Sequence, residues 1–193
     1  YKRQDERGHE VLDTFHSAAF AVCDHQVAHV YVRDPARVAE VRAALAALPG
    51  VGRVLGEAEQ RAEGLWHARS GDLLLVAEAR SWFAYNYWLD DTRAPDFART
   101  VDIHRKPGYD PCELLVDPAV RLPWLRVLGF LLRKKLGFRA LLKLTPLNPQ
   151  LIRGSHGRVP EDPLDWPVLI EPRKGLPAML AATDVRDRLA EGF

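Results

Sequence analysis

Apolar positions along this chain fall into short runs separated by polar turns, the pattern of strands alternating with helices. AAFAVC (18–23) is closed by Asp24 and His25, and its length suits a buried strand better than a helix. AHVYV (28–32) alternates and is β-branched, as a half-buried strand requires. PARVAEVRAALAAL (35–48) has helical periodicity with Pro35 near its start, and GVGRVLG (50–56) reads as a turn feeding a strand. A short helix over 57–63 and a strand over 66–68 would complete a small α+β subdomain, 27–69, inserted into the main fold. SGDLLLVAEA (70–79) then presents a continuous apolar run, which predicts a central strand covered by helices on either side.

The second half is less regular. Residues 81–118 mix aromatics, Pro, Gly and charges without a period, and long irregular segments in compact domains are usually functional or mobile loops. PWLRVLGFLLRKKLGFRALLKL (123–144) carries six basic residues and no acidic one. It predicts one or two amphipathic helices, with the basic face either simply solvated or arranged to attract phosphate-rich ligands or an anionic membrane surface. VLI (168–170) reads as a strand, and AATDVRDRL (181–189) as a helix with an N-cap at Thr183 or Asp184.

Composition narrows the picture a little. A chain of 193 residues, 47% hydrophobic and 27% charged, can bury the core of one soluble domain. A net charge of +1 gives no global reason to expect a specific nucleic-acid partner. No apolar run approaches the roughly 20 residues that cross a bilayer, and the polar start YKRQDERGHE is unlike a signal peptide. Cys23 and Cys112 match no paired spacing, which favours a reduced, cytoplasmic setting. The chain begins with Tyr1 rather than Met, so an N-terminal part is expected to be missing.

Asp24 and His25 supply a carboxylate and an imidazole, two preferred ligand types for zinc and similar ions, at the end of an apolar strand. There the chain leaves the pleat, and ligands collect at the carboxyl ends of strands in open α/β sheets. GSHGRVPEDP (154–163) sets His156 among small residues that let the backbone approach an ion. In the irregular segment, DIHRKPGYD (102–110) gathers His104, Arg105 and Lys106, which could bring positive charge to a substrate phosphate or form a salt-bridge network. Trp82, Phe83, Tyr85, Tyr87 and Trp88 could line a pocket or pack the segment onto the core. His16, His29 and His67 have no partner evident from the sequence, and Ser70 and Ser155 qualify as nucleophiles by residue type only.

A strand ending in Asp-His, an inserted unit, a buried strand opened by S-G-D, then G-S-H-G and a T-D-V helix together resemble the C-terminal half of type I phosphodiesterase/nucleotide pyrophosphatase proteins of the alkaline phosphatase superfamily. Phosphonoacetate hydrolases are similar in outline. The resemblance implies an α/β fold in which an alkaline-phosphatase-like sheet is sandwiched by helices, with 1–193 forming its C-terminal part. It further implies two divalent metal ions, zinc by ligand type with manganese or iron accommodated, and hydrolysis of a small-molecule phosphate ester. Asp24 and His25 would hold one ion and His156 the other, joined by Asp5 and His9, which match the family's Asp-x-x-x-His motif and would share a helix face.

Two departures accompany the likeness. Only fourteen residues separate His9 from Asp24, where the family places a full helix and a strand. The Thr or Ser nucleophile and the first metal-binding Asp have no counterpart, so the chain alone is expected to be inactive and to need a missing N-terminal part of the same domain. The alternative is a non-catalytic metal- or anion-binding module that keeps the fold.

Overall fold

The computed structural model describes residues 2–101, 111–172, 175 and 177–190. The fold is mixed α/β, and the chain divides into two compact units, Tyr1–Val159 and Pro160–Phe193. The first unit opens with a small antiparallel hairpin of β1 (Lys2–Gln4) and β2 (Glu10–Leu12). Glu10 is buried there and accepts from Lys2 Nζ at 2.5 Å and from Arg93 Nη1 at 3.3 Å.

The principal sheet contains β3 (Ala19–Asp24), β4 (Val27–Val32), β5 (Val51–Leu55) and β6 (Leu73–Ala77), in the spatial order β3-β4-β6-β5. Every neighbouring pair is antiparallel. The expected alternation of β4 is realised, with Ala28, Val30 and Val32 buried and the intervening side chains only partly so. The apolar run of β6 does occupy the interior of the sheet, and Leu73, Leu74, Leu75 and Ala77 are all buried. Segment 27–69 contributes β4 and β5 to this same sheet, with β6 between them.

One face of the sheet packs Ala28, Val30, Val54, Leu73 and Leu75 together, and Val38, Val41 and Leu45 of helix α1 (Val38–Ala46) close over them. Full burial of a side chain of this size stabilises by about 1.5–3 kcal/mol, so this cluster is the main reason that the sheet holds its register. Asp34 and Pro35 start the helical segment as a 3-10 turn, the Asp34 carboxylate capping Ala36 N at 3.0 Å. On the opposite face Leu55 and Leu74 are buried as well.

Helix α2 (Glu57–Ala62) begins where Glu59 reaches back to the Gly56 N–H, and its buried Gln60 donates to Leu55 O and Gly71 O. Gly71 lies against β4 so closely that a Cβ would stand 2.6 Å from Val30 O, a backbone contact with no room to give. The strand expected over 66–68 is a turn instead. Ser70 Oγ accepts from His67 N, Ser70 N donates to His67 O, and the Arg61 guanidinium covers the Trp66 ring at 3.4 Å, so local partners replace a sheet ladder.

Within 81–118 the described residues form no strand longer than a single bridge at Thr100, and the aromatics divide between two packing tasks. Phe83 packs against the sheet core, while Tyr87 and Trp88 join Ala94, Ala98 and Leu147 in a second cluster. Helix α3 (Pro123–Lys135) is a single helix that stops at Gly137, where φ is +81°. Gly137 N donates to Lys134 O and Phe138 N to Arg133 O, the paired bonds of a Schellman end.

The second unit has a 3-10 turn at Pro163–Asp165, capped by Asp162, and a short helix α4 (Val185–Ala190) preceded by a 3-10 turn at Ala182–Asp184. Arg188 donates to Glu171 Oε1 at 2.6 and 2.9 Å. VLI (168–170) forms no strand, because among the described residues of this unit it has no partner with which to build a ladder, and Val168 and Ile170 are exposed. Among the described residues no helix is long and apolar enough to cross a membrane.

Candidate metal centre

The β3–β4 hairpin turns through two residues, His25 and Gln26, with Asp24 paired to Val27 across the ladder. His25 has φ of +56°, a left-handed conformation uncommon for non-glycine residues that suits a two-residue hairpin turn and is held here by its surroundings. Those surroundings are specific. Phe83 N donates to His25 O at 2.7 Å, Gln26 N donates to His156 O at 2.9 Å, and Ala77 N donates to Gln26 O at 2.9 Å. The Gln26 side chain donates to Ser81 O at 3.1 Å, and Arg158 Nη1 donates to Ala77 O at 2.9 Å.

The hairpin tip is therefore clamped between residues 77–83 and 155–158. Gly157 makes the second clamp possible. Its φ is +110°, and a Cβ there would meet Val27 Cγ2 at 3.4 Å and Asp24 O and Gln26 N at 3.5 Å. The backbone pairing of His156 with Gln26 thus carries the His156 ring to the His25 ring across 130 residues of sequence.

Side-chain geometry follows from that clamp. The two imidazoles stack with centroids 4.0 Å apart and planes 21° apart. His25 Nδ1 is 2.9 Å from Ser155 Oγ, and His25 Nε2 is 3.9 Å from Asp24 Oδ1. The His25 side chain is 10% exposed and that of Asp24 72%. Burial pushes the His25 pKa below its ordinary value, the neighbouring His156 ring pushes it further the same way, and the Asp24 carboxylate partly opposes both. Neutral imidazole is the form that coordinates a metal.

Asp24, His25 and His156 each offer one ligand atom, and these atoms lie within 4.8 Å of one another. Ligand atoms around a tetrahedral ion with bonds of about 2.1 Å stand about 3.4 Å apart, so to close the set the side chains would draw together and the stacked rings would turn their nitrogens toward a common point. One carboxylate and two imidazoles suit zinc and similar divalent ions, and Ser155 sits where the outer partner of a ligating histidine belongs, orienting the ring through its other nitrogen. Ser155 is a residue whose role the sequence leaves obscure. The only hint is its place beside His156.

The other sequence-derived site residues stand differently. Asp5 and His9 do not share a helix face. They close the β1–β2 turn, with His9 Nδ1 2.8 Å from Asp5 Oδ2 and with Asp5 Oδ1 accepting from Arg7 N and His9 N. The turn wins because β1 and β2 pair across it, and neither residue belongs to the Asp24–His25–His156 group. His104, Arg105 and Lys106 lie outside the described residues. The histidines without an evident partner all have one: His16 pairs with Asp13, His29 Nδ1 accepts from Gly71 N, and His67 Nδ1 accepts from Arg69 N.

Comparison with protein-family models, with curated proteins and with solved structures finds no match to this chain.

Proposed function

We propose that the Asp24–His25–His156 group holds a divalent cation, with zinc favoured by its ligands, and that it belongs to a metal-dependent hydrolase of phosphate esters of the phosphodiesterase/nucleotide pyrophosphatase type. The observation that carries this reading is the meeting, through a built backbone clamp, of three ligand-type side chains drawn from opposite ends of the first unit. When bound, the ion supplies Lewis-acid polarisation of a phosphoryl oxygen and a lowered pKa for an attacking hydroxyl.

The chain's own residues do the holding and orienting. His25 offers its ring in the neutral form because burial and His156 disfavour its protonation. Ser155 fixes the orientation of that ring, and the left-handed turn keeps Asp24 and His25 adjacent on one side of the hairpin tip. In this reading the nucleophile and a second set of ligands come from outside these 193 residues, in an alkaline-phosphatase-like domain to which the antiparallel sheet would contribute its C-terminal part. The substrate is a small phosphate ester. The cytoplasm is the proposed compartment, on the ground that the sequence spacing of Cys23 and Cys112 matches no disulfide framework.

Hydrolysis of an aryl phosphodiester and an aryl phosphomonoester by the protein expressed from its gene, with zinc or manganese supplied, tests the proposal. The expected result is metal-dependent turnover that Asp24→Ala or His156→Ala lowers at least about 100-fold, together with lost metal. Unchanged activity and metal content in both variants would overturn it. Metal retention without turnover on any phosphate ester would instead favour the non-catalytic binding module.

A further inference from the structure

Helix α3 is built inside out for a soluble domain. Trp124, Leu125, Leu128, Leu131 and Leu132 recur at the spacing that puts them on one stripe of a helix. An ordinary surface helix buries such a stripe. Here the five are between 44% and 59% exposed, and the helix has no buried residue. The stripe continues beyond the helix end into Leu136 and Phe138, which are 71% and 65% exposed.

The charges within the segment itself are all of one sign. Residues 123–144 contain no Asp or Glu. Lys134 and Lys135 lie at the C-terminal end of the helix. Beyond the turn at Gly137 the chain runs back beside α3, and Arg126 Nη1 donates to Lys143 O at 3.2 Å. A cavity of about 320 Å³ opens between the two segments, with Arg126, Arg133 and Lys143 among the residues that line it and no carboxylate among them. Arg139 is set apart from this group, since its guanidinium lies 3.8 Å from Asp96.

We infer that α3 and the segment returning beside it form a docking surface for an anionic membrane. The charge complementarity argues for a lipid surface, because a bilayer with acidic headgroups offers a plane of negative charge over an apolar interior, matching basic residues that flank an exposed apolar stripe. Long basic side chains reach the headgroups while the stripe enters the acyl boundary, and Trp124 at one end is a residue type that favours this interface. The helix lies on the membrane and does not cross it. Thirteen residues at about 1.5 Å each span about 20 Å, against roughly 30 Å of hydrocarbon.

Flotation of the purified protein with phosphatidylcholine vesicles, with and without about 30% phosphatidylserine, tests this surface. Binding is expected to the phosphatidylserine vesicles only and to weaken as salt rises from about 0.1 to about 0.5 M. Each basic side chain near such a surface strengthens binding about fivefold, so Lys134→Gln with Lys135→Gln is expected to weaken it about 25-fold. Leu128→Glu with Leu131→Glu is expected to abolish it, with the circular dichroism spectrum unchanged because these positions are exposed. Absent binding to phosphatidylserine vesicles, or equal binding to both vesicle types, would overturn the inference. So would a lipid-free dimer in sedimentation velocity that Leu128→Glu with Leu131→Glu dissociates, since the stripe would then serve a second copy of the chain.

Discussion

Two regions of this molecule bring aspartate and histidine together, and they do so in opposite ways. In the N-terminal segment, Asp5 with His9 and Asp13 with His16 are local pairs, each with a ring nitrogen 2.8 Å from a carboxylate oxygen. In both, the second carboxylate oxygen accepts backbone N–H groups, so the aspartate is occupied in closing a turn. At the β3–β4 tip the pieces are Asp24, His25 and His156, and among the described residues the Asp24 carboxylate closes no turn. Its side chain stays open to solvent, 3.9 Å from His25 Nε2. Closeness in sequence builds capped turns, whereas a ligand-competent group here depends on distant backbone that holds side chains together without consuming them.

The sharpest way to break this comparison is to remove a ring from each region. His156→Ala is expected to lower zinc affinity by more than about 100-fold, since it deletes a ligand, while His9→Ala leaves zinc affinity within about twofold. Competition with a chromophoric chelator measures both. Next in size is the clamp itself. Gly157→Ala forces a side chain onto a φ of +110°, a conformation strained for any residue but glycine, and is expected to destabilise the first unit by about 1–3 kcal/mol in a chemical-denaturation experiment.

A smaller effect is expected at Ser155. Ser155→Ala leaves all three ligands in place but releases the His25 ring, and should weaken zinc binding about tenfold or somewhat more. Smallest of all is a pH effect confined to the N-terminal hairpin. The Lys2 ammonium, aided by Arg93, holds the Glu10 carboxyl below its ordinary pKa. A depressed carboxylate pKa means that the unfolded state binds the proton more readily, so this pair stabilises the fold fully above the ordinary glutamate pKa. The contribution fades as pH falls through the lower folded value. Melting temperatures of the parent and of Lys2→Met should accordingly differ at neutral pH and converge in acid, with zinc affinity at neutral pH unaffected.

Much of the first unit is legible from pattern alone. The alternation in VAHVYV, the unbroken apolar run in LLLVA and the periodicity of 35–48 correspond to β4, β6 and α1, because each is a local signature of burial. The strand order and the antiparallel pairing are not, since they depend on which edges meet after the chain has crossed over α1. Residues 66–68 and 168–170 look like strands by composition, yet a strand exists only with a neighbour. The Asp5-x-x-x-His9 spacing fits a helix and a hairpin turn equally well, and pairing of β1 with β2 decides between them.

At the hairpin tip, Asp24, His25 and His156 are singled out by the order of their motifs and the resemblance it carries, which would put His156 on a second ion, whereas the structure brings one ligand atom from each of the three within 4.8 Å. Their means of meeting is not visible. The bonds from Gln26 N to His156 O and from Phe83 N to His25 O are backbone contacts that leave no mark on residue type. Ser155 is hidden for a related reason, since a serine acquires its role only from what stands 2.9 Å away.

The most direct test of the central claim needs no substitution. Side-chain imidazole nitrogens of the ¹⁵N-labelled protein can be followed by NMR as zinc is added. The account predicts that the His25 and His156 ring signals shift together at the first additions of zinc, while those of His9 and His16 stay where they are. A first response from His9 or His16, or no response from the stacked pair, would contradict it.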